Sequence, residues 1–264
     1  MFRTYYNFKS MPFEKSIRKE AMFKSNTFKE FSSRMEFIKQ TRGIFLLTGS
    51  PGVGKTTALR AFIEELKPEF YKTVYFPLSS VSPCDFYYQL NTALGGNGFR
   101  FKSKCFSSIQ ELLLNFAIVK KQIPVLIFDE IHFFRNENLY ELQMLLNFNI
   151  DSLDPVIVIL SGHSLMRDRI LMPNLASINQ RLRIKFDFQP LSKQETFCYI
   201  QHHLNLAGAS TSLFNDNAMD AIFNLSSGVI RIINNIAIKA LIMGTTLRKD
   251  IITEEIIFDV SPEL

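Results

Sequence analysis

The chain has 264 residues, 47% of them hydrophobic, with a formal net charge of +5. That is enough for one sizeable core plus a small second domain. No apolar stretch approaches the roughly 20 residues of a membrane span, and Met1–Tyr6 lacks the apolar run of a signal peptide. Three cysteines, Cys84, Cys105 and Cys198, are too few and too far apart for a disulfide framework or a metal knuckle. A cytoplasmic protein with structural thiols is expected.

The charge is uneven. Residues 1–42 hold ten Lys/Arg against four Glu, a balance of +6, which leaves 20 basic and 21 acidic residues, or −1, for the rest. A basic arm on a near-neutral body suits a polyanionic partner, although a solvated helix face gives the same count. Residues 1–30 read as irregular, with Phe8, Pro12 and Phe13 anchoring them. Phe28, Phe31, Met35 and Ile38 then recur at spacings of three and four, which predicts an amphipathic helix.

The apolar run Ile44-Phe45-Leu46-Leu47 predicts a buried strand. It leads into Gly49-Ser50-Pro51-Gly52-Val53-Gly54-Lys55-Thr56, the full G-x-x-x-x-G-K-[ST] phosphate-binding loop. Thr57 continues into a helix. The glycines let successive backbone N–H groups turn inward onto phosphate oxygens, and the helix adds its positive end. Gly49 through Thr57 are therefore the expected nucleotide-contacting residues. Lys55 bridges the β- and γ-phosphates in this reading, and the Thr56 hydroxyl holds Mg²⁺.

The helix should stop near Lys67-Pro68. Thr73 to Leu78 predicts the next strand. Ser82-Pro83 opens a helix that Gly95-Gly96-Asn97-Gly98 closes. The stretch Phe99 to Lys104 mixes basic and aromatic residues, as a nucleic-acid loop or a plain anchored loop would. Ser107 or Ser108 is expected to cap a helix running to about Lys121.

Pro124-Val125-Leu126-Ile127-Phe128-Asp129-Glu130 predicts a central parallel strand that delivers two carboxylates at its C-terminal end, where ligands of open α/β sheets bind. Asp129 suits the Mg²⁺ shell, and Glu130 suits a general base for an attacking water. A helix is expected at about Asn138 to Phe148. Another buried strand, Asp154 to Leu160, ends at Ser161-Gly162-His163, where Ser161 or His163 is placed to sense the γ-phosphate. Arg181 and Arg183 precede a strand from Ile184 to Phe188, and either is a candidate arginine finger acting across a subunit interface. Four helices follow, near Lys193–Ala207, Asp216–Ser226, Val229–Gly244 and Thr253–Val260. Arg231 opens the third and is a candidate lid residue over the γ-phosphate.

With these residues in place the chain resembles the ExeA-type branch of AAA+ ATPases. Within that branch it resembles the TniB/TnsC-like helper ATPases encoded beside DDE transposases. The resemblance runs from Tyr6…Phe8…Pro12-Phe13 through Arg42-Gly43-Ile44 and the phosphate loop. It continues through Leu145-Leu146-Asn147-Phe148…Asp151-Ser152, Gln180-Arg181-Leu182, Pro190-Leu191-Ser192 and Leu206-Ala207-Gly208 to Gly228…Arg231-Ile232-Ile233-Asn234-Asn235. The chain departs from it in three places: Ile131-His132 after the two acids, Ile230 before Arg231 in place of a proline, and His163-Ser164 where Gln-Pro is usual.

The resemblance implies an α/β P-loop fold, a three-layer sandwich whose five-stranded parallel sheet has the order 51432, plus a C-terminal helical lid. The expected divisions are a basic arm and helix (1–42), an AAA+ core (43–190) and the lid (191–264). It implies ATP and Mg²⁺, hydrolysis by Glu130 with Lys55, Arg181 and Arg231, and assembly into a ring or filament with ATP between subunits. It further implies duplex DNA and a DDE transposase as partners, with no membrane. Two alternatives remain open. One is an ExeA-type secretion ATPase, whose members continue into a membrane span and a peptidoglycan-binding region not expected here. The other is a nucleotide-gated scaffold with negligible turnover.

Overall fold

The computed structural model describes residues 2–14, 17–76, 81–148, 154–209 and 212–261. Pro77 and Leu78 of the second predicted strand, and Asp151-Ser152 of the resemblance, lie outside them.

A short helix, α1 (Phe2–Tyr5), precedes α2 (Asn26–Thr41). There follow β1 (Gly43–Thr48), α3 (Lys55–Glu65), β2 (Tyr71–Phe76), α4 (Pro83–Ala93), α5 (Lys102–Leu114) and β3 (Ile123–Phe128). Then come α6 (Asn136–Leu145), β4 (Ile157–Ser161), α7 (Leu165–Ile170), α8 (Ala176–Arg181) and β5 (Leu182–Asp187). The chain continues through α9 (Lys193–Ala207), α10 (Asp216–Ser226), α11 (Ile230–Thr246) and α12 (Glu254–Val260).

The strands pair in parallel in the order β2-β3-β4-β1-β5, which from the other edge is the expected 51432. The central strands are apolar up to their C-terminal residues because both faces of the sheet are covered. Leu46, Leu126, Phe128, Val158 and Leu160 point to one face and share a core with residues of α4 to α8. The alternate residues Phe45, Val125, Ile127, Ile157 and Ile159 are equally buried and must point the other way. On that side the Phe31 ring of α2 meets Phe45 edge-on, 6.2 Å between centroids. Losing a buried ring of this kind costs about 3–5 kcal/mol.

Register fixes what the sheet presents. Phe128 aligns with Leu160, and Leu47 aligns with Ser161. The C-terminal ends of β1, β4 and β3 therefore lie side by side, each followed by one of the predicted functional stretches.

Two expectations fail locally. Residues 1–30, expected to be irregular, include α1, a 3-10 turn at Lys19–Ala21 and the start of α2 at Asn26. The helix assigned to a Ser107 or Ser108 cap begins six or seven residues earlier, with Phe101 at its N-cap. Ser107 sits inside it, its hydroxyl donating to the Ser103 carbonyl at 3.2 Å. The helix gives way at Asn115–Val119 to a π-helical turn. The second half of the basic-aromatic stretch, Lys102 to Lys104, is thus helix and not loop.

The chain divides into two compact units. One comprises Glu30–Gly49 and Lys55–Phe188, and holds the sheet. The other comprises Met1–Lys29, Ser50–Gly54 and Gln189–Leu264. In this second unit Phe2, Phe8 and Phe13 join the core of α9 to α12, and Pro12 is buried beside them. Lys9 N–H donates to the Ala207 carbonyl at 2.7 Å, and Phe13 stacks on His203 with 5.3 Å between centroids. Helix α9 opens with a capping box between Ser192 and Glu195. Glu195 also accepts from Asn26 N–H at 2.8 Å. Burial raises this carboxyl's pKa, but the hydrogen bonds from Asn26 and Ser192 and the charge of Lys29 hold it below the usual range.

Candidate active site

Strand β1 ends at Thr48, whose hydroxyl donates to Asp187 Oδ1 at 2.7 Å. The next residue, Gly49, has φ +152°, and a Cβ there would stand 2.6 Å from the Phe188 carbonyl oxygen. Only glycine fits. Lys55, the first residue of α3, is 8% exposed. Its Nζ turns back to donate to the Gly49 carbonyl at 2.8 Å. The ammonium is therefore held close to the positive end of a helix, where anions gather. The Gly52 carbonyl accepts from Arg231 N–H at 3.1 Å. Gly52 has φ +83°, and a Cβ on it would meet the Arg231 Cβ at 2.7 Å.

The second component is the end of β3. Asp129 is 3% exposed. Its Oδ2 accepts from the Thr56 hydroxyl at 3.0 Å and the Tyr75 hydroxyl at 2.9 Å. Its Oδ1 accepts from Glu130 N–H at 3.0 Å. Three donors on one carboxyl group suit an acceptor-only carboxylate. Burial, and then the bond to Asp129, push the Tyr75 phenol up, so it stays a donor. Glu130 has φ 56° and ψ 37°, the left-handed region, a costly conformation for a residue with a side chain. Its carboxylate is half exposed, with Oε2 3.3 Å from His132 Nδ1.

At the end of β4, the Ser161 hydroxyl is buried with no hydrogen-bond partner among the described residues. His163 Nδ1 accepts from Leu165 N–H at 3.2 Å and lies 3.2 Å from the Ser164 hydroxyl, while its Nε2 is left for another group. Of the two finger candidates, Arg183 pairs with Asp154 at 2.7 Å. Arg181 ends α8, with Nη1 3.4 Å from the Gln143 carbonyl.

These residues fit ATP and Mg²⁺. Cis ligands about 2.1 Å from Mg²⁺ lie about 3 Å apart, and Thr56 Oγ1 and Asp129 Oδ2 are 3.0 Å apart. Among the described residues no three His, Cys, Asp or Glu side chains converge as a self-sufficient cage. A site that completes its cation shell with phosphate oxygens needs none. The ion would supply charge neutralisation across the β- and γ-phosphates.

Residues 38–170, just over half of the chain, match the family described as AAA domain. The chain belongs to the AAA domain family. It is an ATPase that uses ATP and Mg²⁺. Over 254 residues, 92% of the chain, it is 27% identical to General secretion pathway protein A of Aeromonas hydrophila. It spans 44% of that relative, less than half its length.

Three solved structures are similar in fold. Cdc6p from Pyrobaculum aerophilum has a TM-score of 0.69 at 14% identity, over 91% of this chain and 67% of that one. The ORC1 protein of Aeropyrum pernix, solved in complex with DNA, has 0.64 at 16%, over 96% and 66%. The RuvB Holliday junction branch migration motor of Thermotoga maritima has 0.60 at 21%, over 90% and 68%.

In this AAA ATPase the structure brings Thr56, Asp129 and Tyr75 together, and separately Gly52 with Arg231. Tyr75 is a site residue that the sequence reading misses. It occupies the outward position of β2, where a sequence shows only a surface aromatic. No helix among the described residues is long and apolar enough to cross a membrane.

Proposed function

We propose that this ATPase is a cytoplasmic helper of DNA transposition. In this reading residues 1–42 form a basic arm, 43–190 the nucleotide-binding core and 191–264 a lid. ATP-bound copies assemble as a ring or filament on duplex DNA and recruit or activate a DDE transposase, and hydrolysis disassembles them. The observation that carries the DNA part is the +6 balance of residues 1–42 against −1 for the rest. Within α2, Arg34 pairs with Glu30 and Lys39 with Glu36. The similar ORC1 protein of Aeropyrum pernix was solved in complex with DNA, which is in keeping with this reading.

Each residue has a role in the chemistry. The loop from Gly49 to Thr57 binds the phosphates through its N–H groups, and Lys55 offsets their charge. Thr56 and Asp129 hold Mg²⁺. Glu130 takes the proton of a water that attacks the γ-phosphorus, and the bond to the bridging oxygen breaks to leave ADP and phosphate. Ser161 or His163 reads the γ-phosphate from the β4 end, with Arg231 assigned to it as the lid arginine. Arg181, or Arg183 once released from Asp154, serves a neighbouring subunit's site.

The test is ATP turnover with and without duplex DNA at low and moderate salt, with assembly followed by light scattering. Stimulation and assembly that weaken steeply with salt support the proposal, since phosphate contacts release counterions. Absence of DNA binding at low salt with ATP overturns it.

A second reading, a secretion ATPase, is favoured by the similarity to General secretion pathway protein A. It expects turnover indifferent to DNA, with no assembly on it. A nucleotide-gated scaffold expects assembly with turnover that Glu130→Gln leaves unchanged.

A further inference from the structure

We propose that Arg169 is a positioning residue for hydrolysis, holding in place the turn that aims Glu130. The inference rests on the reading of Glu130 as the general base.

Glu130 sits in a left-handed conformation, which is disfavoured for a residue with a side chain and persists only where the surroundings impose it. Its carboxylate is half exposed, and the backbone sets the direction in which its Cα–Cβ bond leaves the chain. That backbone enters a single 3-10 turn, Ile131–Phe133. Phe133 N–H donates to the Glu130 carbonyl at 3.0 Å, and Phe134 N–H to that of Ile131 at 2.9 Å.

Arg169 binds the outer side of this turn with one guanidinium. Its Nη1 donates to the His132 carbonyl at 3.2 Å, and its Nη2 to the Phe134 carbonyl at 2.5 Å. Nε and Nη2 both donate to Asn136 Oδ1, at 3.1 and 2.6 Å. The planar fork thus spans 132 to 136, which a lysine's point charge does not reproduce. The opposite side of the turn abuts the end of β4: a Cβ on Gly162 would meet Ile131 Cγ1 at 2.9 Å. Arg169 is itself fixed, because its neighbours on α7, Met166 and Ile170, are each 1% exposed. The turn after Glu130 is therefore closed from both sides by the β4–α7 segment.

The experiment is a double-mutant cycle on steady-state ATP turnover, with Arg169→Lys and Glu130→Gln made singly and together. Nucleotide affinity and melting temperature are measured for each variant. Arg169→Lys should lower kcat about tenfold or more, with ATP affinity changed less than about twofold. In the Glu130→Gln background the same change should alter kcat less than about twofold, because residues acting through one another are not additive. Asn136→Ala removes two of the four bonds and should give a smaller kcat loss with the same non-additivity, which keeps the test open should Arg169→Lys fold poorly. Equal losses in both backgrounds, or a loss of affinity matching the loss of kcat, would overturn the positioning role. A Glu130→Gln variant as active as the parent would instead remove the base, and the proposal with it.

Discussion

The Thr56 hydroxyl and the Oδ2 of Asp129 lie 3.0 Å apart although 73 positions separate them in the chain. One ends a turn and starts a helix, the other ends a strand two places away in the sheet. Parallel register brings them to the same edge. Replacing Asp129 by Ala leaves the Thr56 and Tyr75 hydroxyls and the Glu130 N–H without their acceptor. We expect a stability loss of about 1–3 kcal/mol and turnover down by about 100-fold or more. Asp129→Asn should lose less stability and about as much turnover, because it keeps the shape without the charge. Urea unfolding and Mg²⁺ titrations of turnover check both, and a fully active Asp129→Asn would sink the cation role.

Lys55 and Glu130 should separate binding from chemistry. Lys55→Ala removes a largely buried ammonium held at the Gly49 carbonyl, and ATP binding should fall below detection in a micromolar titration. Glu130→Gln should bind ATP as the parent does, with turnover lower by about 10²–10⁴. Filter binding and phosphate release distinguish the two patterns.

Gly49 tests the backbone of the loop. With φ +152° and the Phe188 carbonyl 2.6 Å from any Cβ, Gly49→Ala should cost about 2–3 kcal/mol. It should weaken ATP binding as well, since the strand must shift to make room. An alanine variant that melts with the parent would show that the strand end yields easily.

His203 gives a pH dependence. Burial, aided by the charge of His202, pushes its pKa down to about 4, from an ordinary value of about 6.5. Between those values the unfolded chain holds a proton that the folded one refuses. Stability is therefore complete above about pH 6.5 and declines as pH falls toward 4. The decline amounts to at most about 3 kcal/mol. His203→Gln should unfold with a shallower dependence than the parent between pH 7.5 and 5. Parallel slopes for the two proteins would assign the acid sensitivity to other groups.

Much of this was legible because the residues concerned carry their signals locally. Ser82 and Pro83 form a cap and first turn, and the helices Lys193–Ala207 and Asp216–Ser226 start and end at the expected residues. Four apolar residues before Asp129-Glu130 read as a strand covered on both faces once the phosphate loop stood upstream. What was hidden depends on partners distant in sequence. Tyr75 reads as an exposed strand residue until Asp129 lies beside it. Arg169 belongs to a charged run, Arg167-Asp168-Arg169, that reads as a solvated helix face. The early start of α5 escaped because Ser107 resembles a cap while its hydroxyl is satisfied by Ser103 within the helix.

The bond between Arg231 and Gly52 is made by main-chain atoms. Position 231 therefore combines a tether that every residue except proline can supply with a guanidinium that is arginine's alone. Arg231→Ala leaves the tether standing, so whatever activity it loses measures the charge by itself.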